Sequence, residues 1–148
     1  MRHPNVRGVR RARTALALLD ERSRSRPESH LRVAVSAPDL PRFAVNEPVY
    51  RQEGGWLAEP DLSLAEAGIA LEYQGDVHAA IARMRKDMTR FLDMRREGWL
   101  CLAYGPAETF GRPWQIAAEA RAAVRERAPH LLRPVRSHAP RRSRRVVT

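Results

Sequence analysis

Two acids, Asp61 and Glu72, stand in neighbouring runs that both read as strand, with Ala65-Glu66-Ala67-Gly68 between them as a turn. Gly68 to Gln74 (GIALEYQ) is short, apolar and closed by Gly75. Alternate side chains of a strand share a face, so Ile69, Leu71 and Tyr73 point one way and Ala70, Glu72 and Gln74 the other. An acid and an amide therefore sit side by side on an otherwise apolar face. Asp61 lies in the preceding run, WLAEPDLSL, and the turn folds it back beside Glu72. Two carboxylates at about 4 Å repel by roughly 4 kcal/mol at an effective dielectric near 20. Such a pair keeps a proton or holds a cation. The expectation is a cation.

The elements that must position these acids follow from periodicity and turn chemistry. Val9 to Asp20 has helical spacing, with Ala12, Ala15, Leu16 and Leu19 on one side and arginines on the other. After the Ser23–Arg26 break, Pro27 suits the first turn of a second helix that runs to about Ser36, with Leu31, Ala34 and Val35 inward. Glu28, just inside that helix, complements its macrodipole. Phe43 to Arg51 reads as a strand with Pro48 marking an edge or bulge, Gly54-Gly55 as a hairpin turn, and Trp56 to Leu64 as the next strand.

Val77 to Glu97 predicts the longest helix, with Ile81, Met84, Met88, Phe91, Leu92 and Arg95 recurring at three- and four-residue steps and Gly98 as the stop. Asp76 reads as its cap. Trp99 to Tyr104 is apolar on both faces and is expected to be a central strand. Cys101 within it, and Trp99 and Trp114, read as packing residues. Pro113 to Ala128 is a final amphipathic helix, and the Arg- and Pro-rich end lacks periodicity and reads as disordered. The order α, α, β, β, β, α, β, α predicts an α/β (α+β) fold, a four-stranded mixed sheet flanked by helices.

A chain of 148 residues is expected to be one domain. The net charge of +10 is uneven: residues 1–26 carry eight Arg against Asp20 and Glu21, or +6, and residues 133–148 carry six Arg and no acid, again +6. The body between holds the remaining −2. The division expected is a basic N-terminal helical arm over 1–26, a folded domain over 27–128 and a disordered Arg-rich tail over 129–148. Arginine-rich flanks attract phosphate without regard to sequence. A general preference for Arg is the alternative, since Lys86 is the only lysine. Cys101 is the only cysteine, which excludes an internal disulfide and a multi-cysteine zinc site. No run approaches the roughly 18 apolar residues of a membrane span, no signal peptide is expected, and the setting expected is cytoplasmic.

Pro27-Glu28-Ser29, Pro60-Asp61, Glu72-Tyr73-Gln74-Gly75-Asp76 with His78, then Asp87, Arg90 and Gly98-Trp99 form one constellation. From about Arg7 to Arg127 it resembles the domain related to very-short-patch-repair (Vsr) endonucleases, a domain of unknown function in the PD-(D/E)XK nuclease superfamily. The resemblance covers only the C-terminal half of relatives that also carry a winged-helix or antitoxin-like part.

It implies a restriction-endonuclease-like core and Mg²⁺-dependent hydrolysis of DNA phosphodiesters, with Mn²⁺ as a substitute. Asp61 and Glu72 would be the metal ligands, joined by the Tyr73 carbonyl. Glu28, Gln74 and His78 would complete the catalytic set, and Asp87 and Arg90 would support it. Gln74 stands where the superfamily has a catalytic Lys; an amide orients water but takes no proton, which shifts that task to His78. The implied partner is DNA, with a homodimer or a toxin–antitoxin or regulatory partner beside it. Two other readings remain open: a catalytically decayed DNA-binding module, and an RNA- or ribosome-associated basic protein. For the residues themselves, Glu28 also reads as a helix-start carboxylate, His78 as a surface histidine, and Asp87 with Arg90 as an intrahelical ion pair.

Overall fold

The computed structural model describes residues 20–75 and 81–134, together with Val9, Arg13 and Leu16; for 81–87 it describes the backbone alone. The expected helix over 9–20 lies almost wholly outside the described residues, and the first helix with described bounds, α1, spans Arg26–Ala34. Ser25 caps it by accepting a hydrogen bond from the Glu28 amide, and proline occupies the first turn, where no amide hydrogen is needed. Leu31 is its fully buried contact with the sheet.

Both long strands expected over 43–51 and 56–64 are each broken in two. β1 is Ala44–Val45, β2 is Val49–Tyr50, β3 is Trp56–Ala58 and β4 is Leu62–Leu64. Asn46 adopts left-handed backbone with φ 47° and Pro48 follows it, so the first strand cannot run straight. Pro60 breaks the second opposite that point. β1 then pairs with β4 in the main sheet, while β2 and β3 form a separate ribbon with a register shift at Val49/Tyr50. Asp61 therefore lies at the corner where the chain passes from ribbon to sheet.

β5 is Ile69–Tyr73, α2 is Ile81–Arg96, β6 is Leu100–Tyr104 and α3 is Pro113–Arg127. The main sheet has the order β1-β4-β5-β6. β4 runs antiparallel to β5, and β6 parallel to it, so the sheet is mixed and four-stranded as expected. Among the described residues β6 is an edge strand, not a central one. Helices on both faces explain its apolar sequence; hydrogen bonding on both sides does not.

One core cluster joins Leu31 and Val35 with Leu62, Ile69, Leu71, Tyr104, Ile116, Ala120 and Val124, and the other joins Val49, Leu57, Ala58, Ala70 and Met94. β5 feeds both, Ile69 and Leu71 to the first and Ala70 to the second, as its alternation predicts. Each fully buried Leu or Ile contributes roughly 1.5–3 kcal/mol. Arg127 ties the far end of the sheet, its Nη1 donating to the carbonyls of Ala67, Gly68 and Gly98 at 3.3, 3.1 and 2.8 Å. Gly68 has φ 58°, and a Cβ there would come within 3.2 Å of that nitrogen.

Four further expectations are corrected. Among the described side chains of α2 the buried one is Met94, whereas Met88 is 54 % and Leu92 45 % exposed, because the ribbon covers a face turned from the one the spacing suggests. Leu16 and Trp114 are also exposed, so neither is a core residue. Cys101 keeps its packing role, its Sγ 3.9 Å from Met94 Sδ, and burial pushes its thiol up to about 11. Order continues past the expected boundary at 129: Pro129–Leu131 makes a helical turn, and Leu131 and Leu132 pack on the first cluster. No helix among the described residues is long and apolar enough to cross a membrane.

Candidate functional site

The C-terminal ends of β5 and β6, the corner before β4 and the N-terminus of α1 meet at one end of the sheet. Ligands of open α/β sheets lie at such carboxyl ends. The register that pairs Leu62 with Leu71 places Asp61 opposite Glu72 one step further. The register that pairs Val45 with Leu62 likewise places Asn46 opposite Asp61. One row across three strands thus carries Asn46, Asp61 and Glu72.

Each acid is held differently. Asp61 Oδ2 accepts the Tyr73 backbone N–H at 2.8 Å, a bond that a longer β4 would have supplied through its own backbone. Glu72 is buried on the α2 face, where Arg90 Nη2 donates to its Oε2 at 3.0 Å. Arg90 thus reaches from helix to strand. Glu28 Oε2 accepts from the Arg24 N–H at 2.8 Å and from Asn46 Nδ2 at 2.9 Å.

The electrostatics separate Asp61 from Glu28. Burial pushes the Asp61 carboxyl above its ordinary value, and the charge of Glu28 adds to this; the Tyr73 amide and the positive charges of Arg90 and Arg24 pull back without cancelling it. Burial pushes Glu28 upward too, but hydrogen bonds from Asn46, Ser25 and the Arg24 amide prevail and hold it below the usual value. Glu28 is a settled carboxylate. Asp61 is an acid whose charge lacks full compensation, which is the state a bound cation relieves.

Glu28, Asp61 and Glu72 are therefore brought to one end of the sheet, with Arg90 on Glu72. Gln74 directly follows β5, with its backbone N–H donating to the Tyr104 carbonyl at 2.9 Å and its side chain exposed. His78 and Asp76 lie outside the described residues, as does the side chain of Asp87. Among the described residues no three His, Cys, Asp or Glu side chains group closely enough to hold a metal. The three acids are thus not a closed cage. Mg²⁺ does not require one, since it binds through one or two carboxylates with waters and substrate phosphates. Of the two acids of the row, Glu72 already carries Arg90.

Asn46 is the residue the sequence reading passed over. Its left-handed backbone aims its N–H at the Asp61 carbonyl, 3.1 Å away, while its side chain donates to Glu28 and, at 2.6 Å, to the Arg22 carbonyl. Asn tolerates this conformation better than other non-glycine residues, and an Asn two residues before a proline was the available signal. Arg24, which pairs with Glu59 beside the corner, was also missed. So was an aromatic row in which Phe110 meets His30 at 5.0 Å and Tyr73 at 6.2 Å between ring centroids, both edge-on.

No family model matches the chain. No solved structure matches it. It is similar to uncharacterized proteins from two strains of Mycobacterium tuberculosis, Oshkosh and H37Rv, each 28 % identical over 113 residues that make up 76 % of this chain. The match covers 41 % of the length of each of those relatives.

Proposed function

We propose that the chain is a divalent-cation-dependent nuclease of restriction-endonuclease-like architecture, acting on DNA phosphodiesters at the end of the sheet that carries Asp61 and Glu72. The observation that carries this reading is the row itself: two acids from adjacent strands, one of them incompletely compensated, with a third acid, Glu28, close enough to raise it further. Mg²⁺ or Mn²⁺ held by Asp61 and Glu72 would supply an acidified water and neutralise phosphoryl charge. The chain's own residues do the rest. The Tyr73 amide fixes the Asp61 carboxylate in orientation, and Asn46 locks α1 to the same corner, so that Glu28 keeps its place beside it. Gln74, exposed at the strand end, orients a water or a phosphate oxygen by hydrogen bonding but holds no proton for transfer.

A second reading, a nucleic-acid-binding module without catalysis, is favoured by the Arg90–Glu72 pair and by that missing lysine. One experiment separates the two. Supercoiled plasmid is incubated with the protein in Mg²⁺ or Mn²⁺, in chelator, and with Glu72→Ala. Nicking that needs the metal and disappears in the variant supports the nuclease. A mobility shift with no nicking in either metal overturns it in favour of the binder.

A further inference from the structure

The loop between α1 and β1 and the segment that follows α3 border a cavity of about 330 Å³. Its floor is core: Val35, Leu40, Phe43 and Val45 are buried and belong to the first cluster. Its walls are charged. Arg32, Arg42 and Arg133 line it, and among the described residues Asp20 is its one acid. Three positive charges against one negative leave a surplus of two.

The walls are held in place. Pro38 and Pro41 fix the backbone on either side of Leu40, whose N–H donates to the Ala37 carbonyl at 3.1 Å. The Arg133 N–H donates to the Asp39 carbonyl at 2.9 Å, which sets that residue at the rim. Arg32 is half-buried, and its Nε donates to Ser23 Oγ at 3.3 Å.

The one acid answers an arginine outside the cavity. Arg22 donates from Nε and Nη2 to Asp20 Oδ1 and Oδ2 at 3.2 and 3.3 Å, and these bonds hold the Asp20 carboxyl below its usual value. From the lining only Arg42 reaches it, its Nη2 3.4 Å from Oδ2. Among the described residues neither Arg32 nor Arg133 forms an ion pair. The C-terminal end of α1 adds about half a negative charge and leaves most of the surplus standing.

A ligand that answers this surplus carries close to two negative charges. A carboxylate or an internal phosphodiester brings one. A phosphate monoester brings about 1.5 to 2, with three acceptor oxygens, and guanidinium forks bind such oxygens in pairs. The volume lies in the range of small-ligand sites, which are mostly apolar with a few placed polar groups. The apolar floor therefore calls for a body behind the anionic head. A nucleotide has both parts.

We propose that this cavity binds a nucleotide through its phosphate monoester, with Arg32, Arg42 and Arg133 on the phosphate and the nucleoside over Leu40 and Phe43. A free nucleotide and the 5′-terminal nucleotide of a strand share this chemistry. The site is separate from the acid row, since Glu28, Asp61 and Glu72 do not line it. It stands or falls without the nuclease reading.

The test is isothermal titration calorimetry of the full chain in chelator, which keeps divalent ions off the acid row. The probes are thymidine 5′-monophosphate, thymidine, inorganic phosphate, and a short thymidine strand with and without a 5′-phosphate. Arg32→Gln and Arg133→Gln are compared with the parent and with Arg26→Gln, which removes an exposed charge outside the cavity. Thermal melts establish that each variant folds. Thymidine 5′-monophosphate should bind about 10-fold or more tightly than thymidine or inorganic phosphate. Each cavity variant should weaken it by about 10-fold, the loss of one charged hydrogen bond at the low end of its range, and Arg26→Gln should not. A strand that binds only with its 5′-phosphate, and weakens equally in Arg32→Gln, assigns the site to strand ends; indifference to that phosphate assigns it to the free nucleotide. Equal losses in Arg26→Gln and the cavity variants overturn the proposal, as does inorganic phosphate binding as tightly as the nucleotide. A parent that binds no thymidine 5′-monophosphate at millimolar concentration overturns it as well.

Discussion

Asn46 donates its side-chain amide to Glu28 Oε2 at 2.9 Å while its own backbone N–H donates to the Asp61 carbonyl at 3.1 Å, so one residue spans two of the three acids. Its φ of 47° is what lets both bonds form. The backbone and side-chain parts separate by substitution. Asn46→Gly keeps the conformation and loses the amide, and is expected to cost about 1.5–3 kcal/mol, the usual worth of a hydrogen bond to a charged group. Asn46→Ala loses both and should cost about 1 kcal/mol more, since a left-handed residue with a Cβ is strained. Urea unfolding of the two variants checks this, and an Ala variant as stable as the Gly variant would show that the backbone strain is not there.

Asp61 and Glu28 should respond to acid in opposite directions. The Asp61 carboxyl is raised in the fold, so the folded state takes up its proton more readily than the unfolded chain. Its charge therefore works against stability at neutral pH, and that penalty fades as pH falls through the raised folded value and is gone below the ordinary 3.8. Glu28 is lowered, so its contribution is complete above the ordinary 4.5 and is lost as pH falls through the folded value. Asp61→Asn, which retains an acceptor for the Tyr73 amide, should thus melt higher than the parent at pH 7 and equal it near pH 3.5. Glu28→Gln should melt lower at pH 7, with its deficit narrowing in acid. An Asp61→Asn protein less stable than the parent at pH 7 would mean that the acid serves the fold and not a ligand.

Much of this arrangement is legible in the sequence, and the reason is alternation. GIALEYQ allows one assignment of faces, and the structure has it: Ile69 and Leu71 toward α1 and α3, Ala70 toward Met94 and Glu72 toward Arg90. The glycine-containing turn before it was equally legible, and with it the return of Asp61 toward Glu72. The sequence said less where order depends on partners distant along the chain. Nothing in Phe43–Arg51 states that its two halves join different sheets; that follows from Asn46 and Pro48 meeting Pro60 across the corner. The buried face of α2 was misjudged because Met88 and Leu92 are as apolar as Met94, and only the position of the β2–β3 ribbon selects among them. Glu72 was expected to share a divalent ion with Asp61; what the structure shows on it is the guanidinium of Arg90, eighteen residues further along.

That ion pair carries its own prediction. Glu72 is 7 % and Arg90 28 % exposed at the side chain, so the acid is the more deeply buried partner. Taking the guanidinium away from a buried carboxylate costs about 3–5 kcal/mol, and the partial exposure of Arg90 places Arg90→Ala near the lower figure. If a divalent ion shares the acid with Arg90, the ion becomes the substitute countercharge. Millimolar Mg²⁺ should then raise the melting temperature more in Arg90→Ala than in the parent, and not at all in the Asp61→Ala/Glu72→Ala double variant. A shift of equal size in all three proteins would place Mg²⁺ binding elsewhere on the surface.

Two truncations test the basic end of the chain, one on each side of the last described contacts. Leu131 and Leu132 rest on the core and the Arg133 N–H donates to the Asp39 carbonyl at 2.9 Å, while Asp39 itself is held ionised by Arg121. A chain ending at Ala128 should therefore melt below one ending at Pro134. The second truncation removes Arg136, Arg141, Arg142, Arg144 and Arg145 and no acid. Each arginine that neutralises a duplex phosphate adds about 0.9 to the slope of log affinity against log salt. Loss of all five should thus flatten that slope by up to about 4.5, with affinity falling most at low salt and converging with the parent as salt rises. A truncated protein that keeps both the parent's melting temperature and its slope would assign the phosphate attraction to the body or to the N-terminal arginines, and leave the tail without a part in binding.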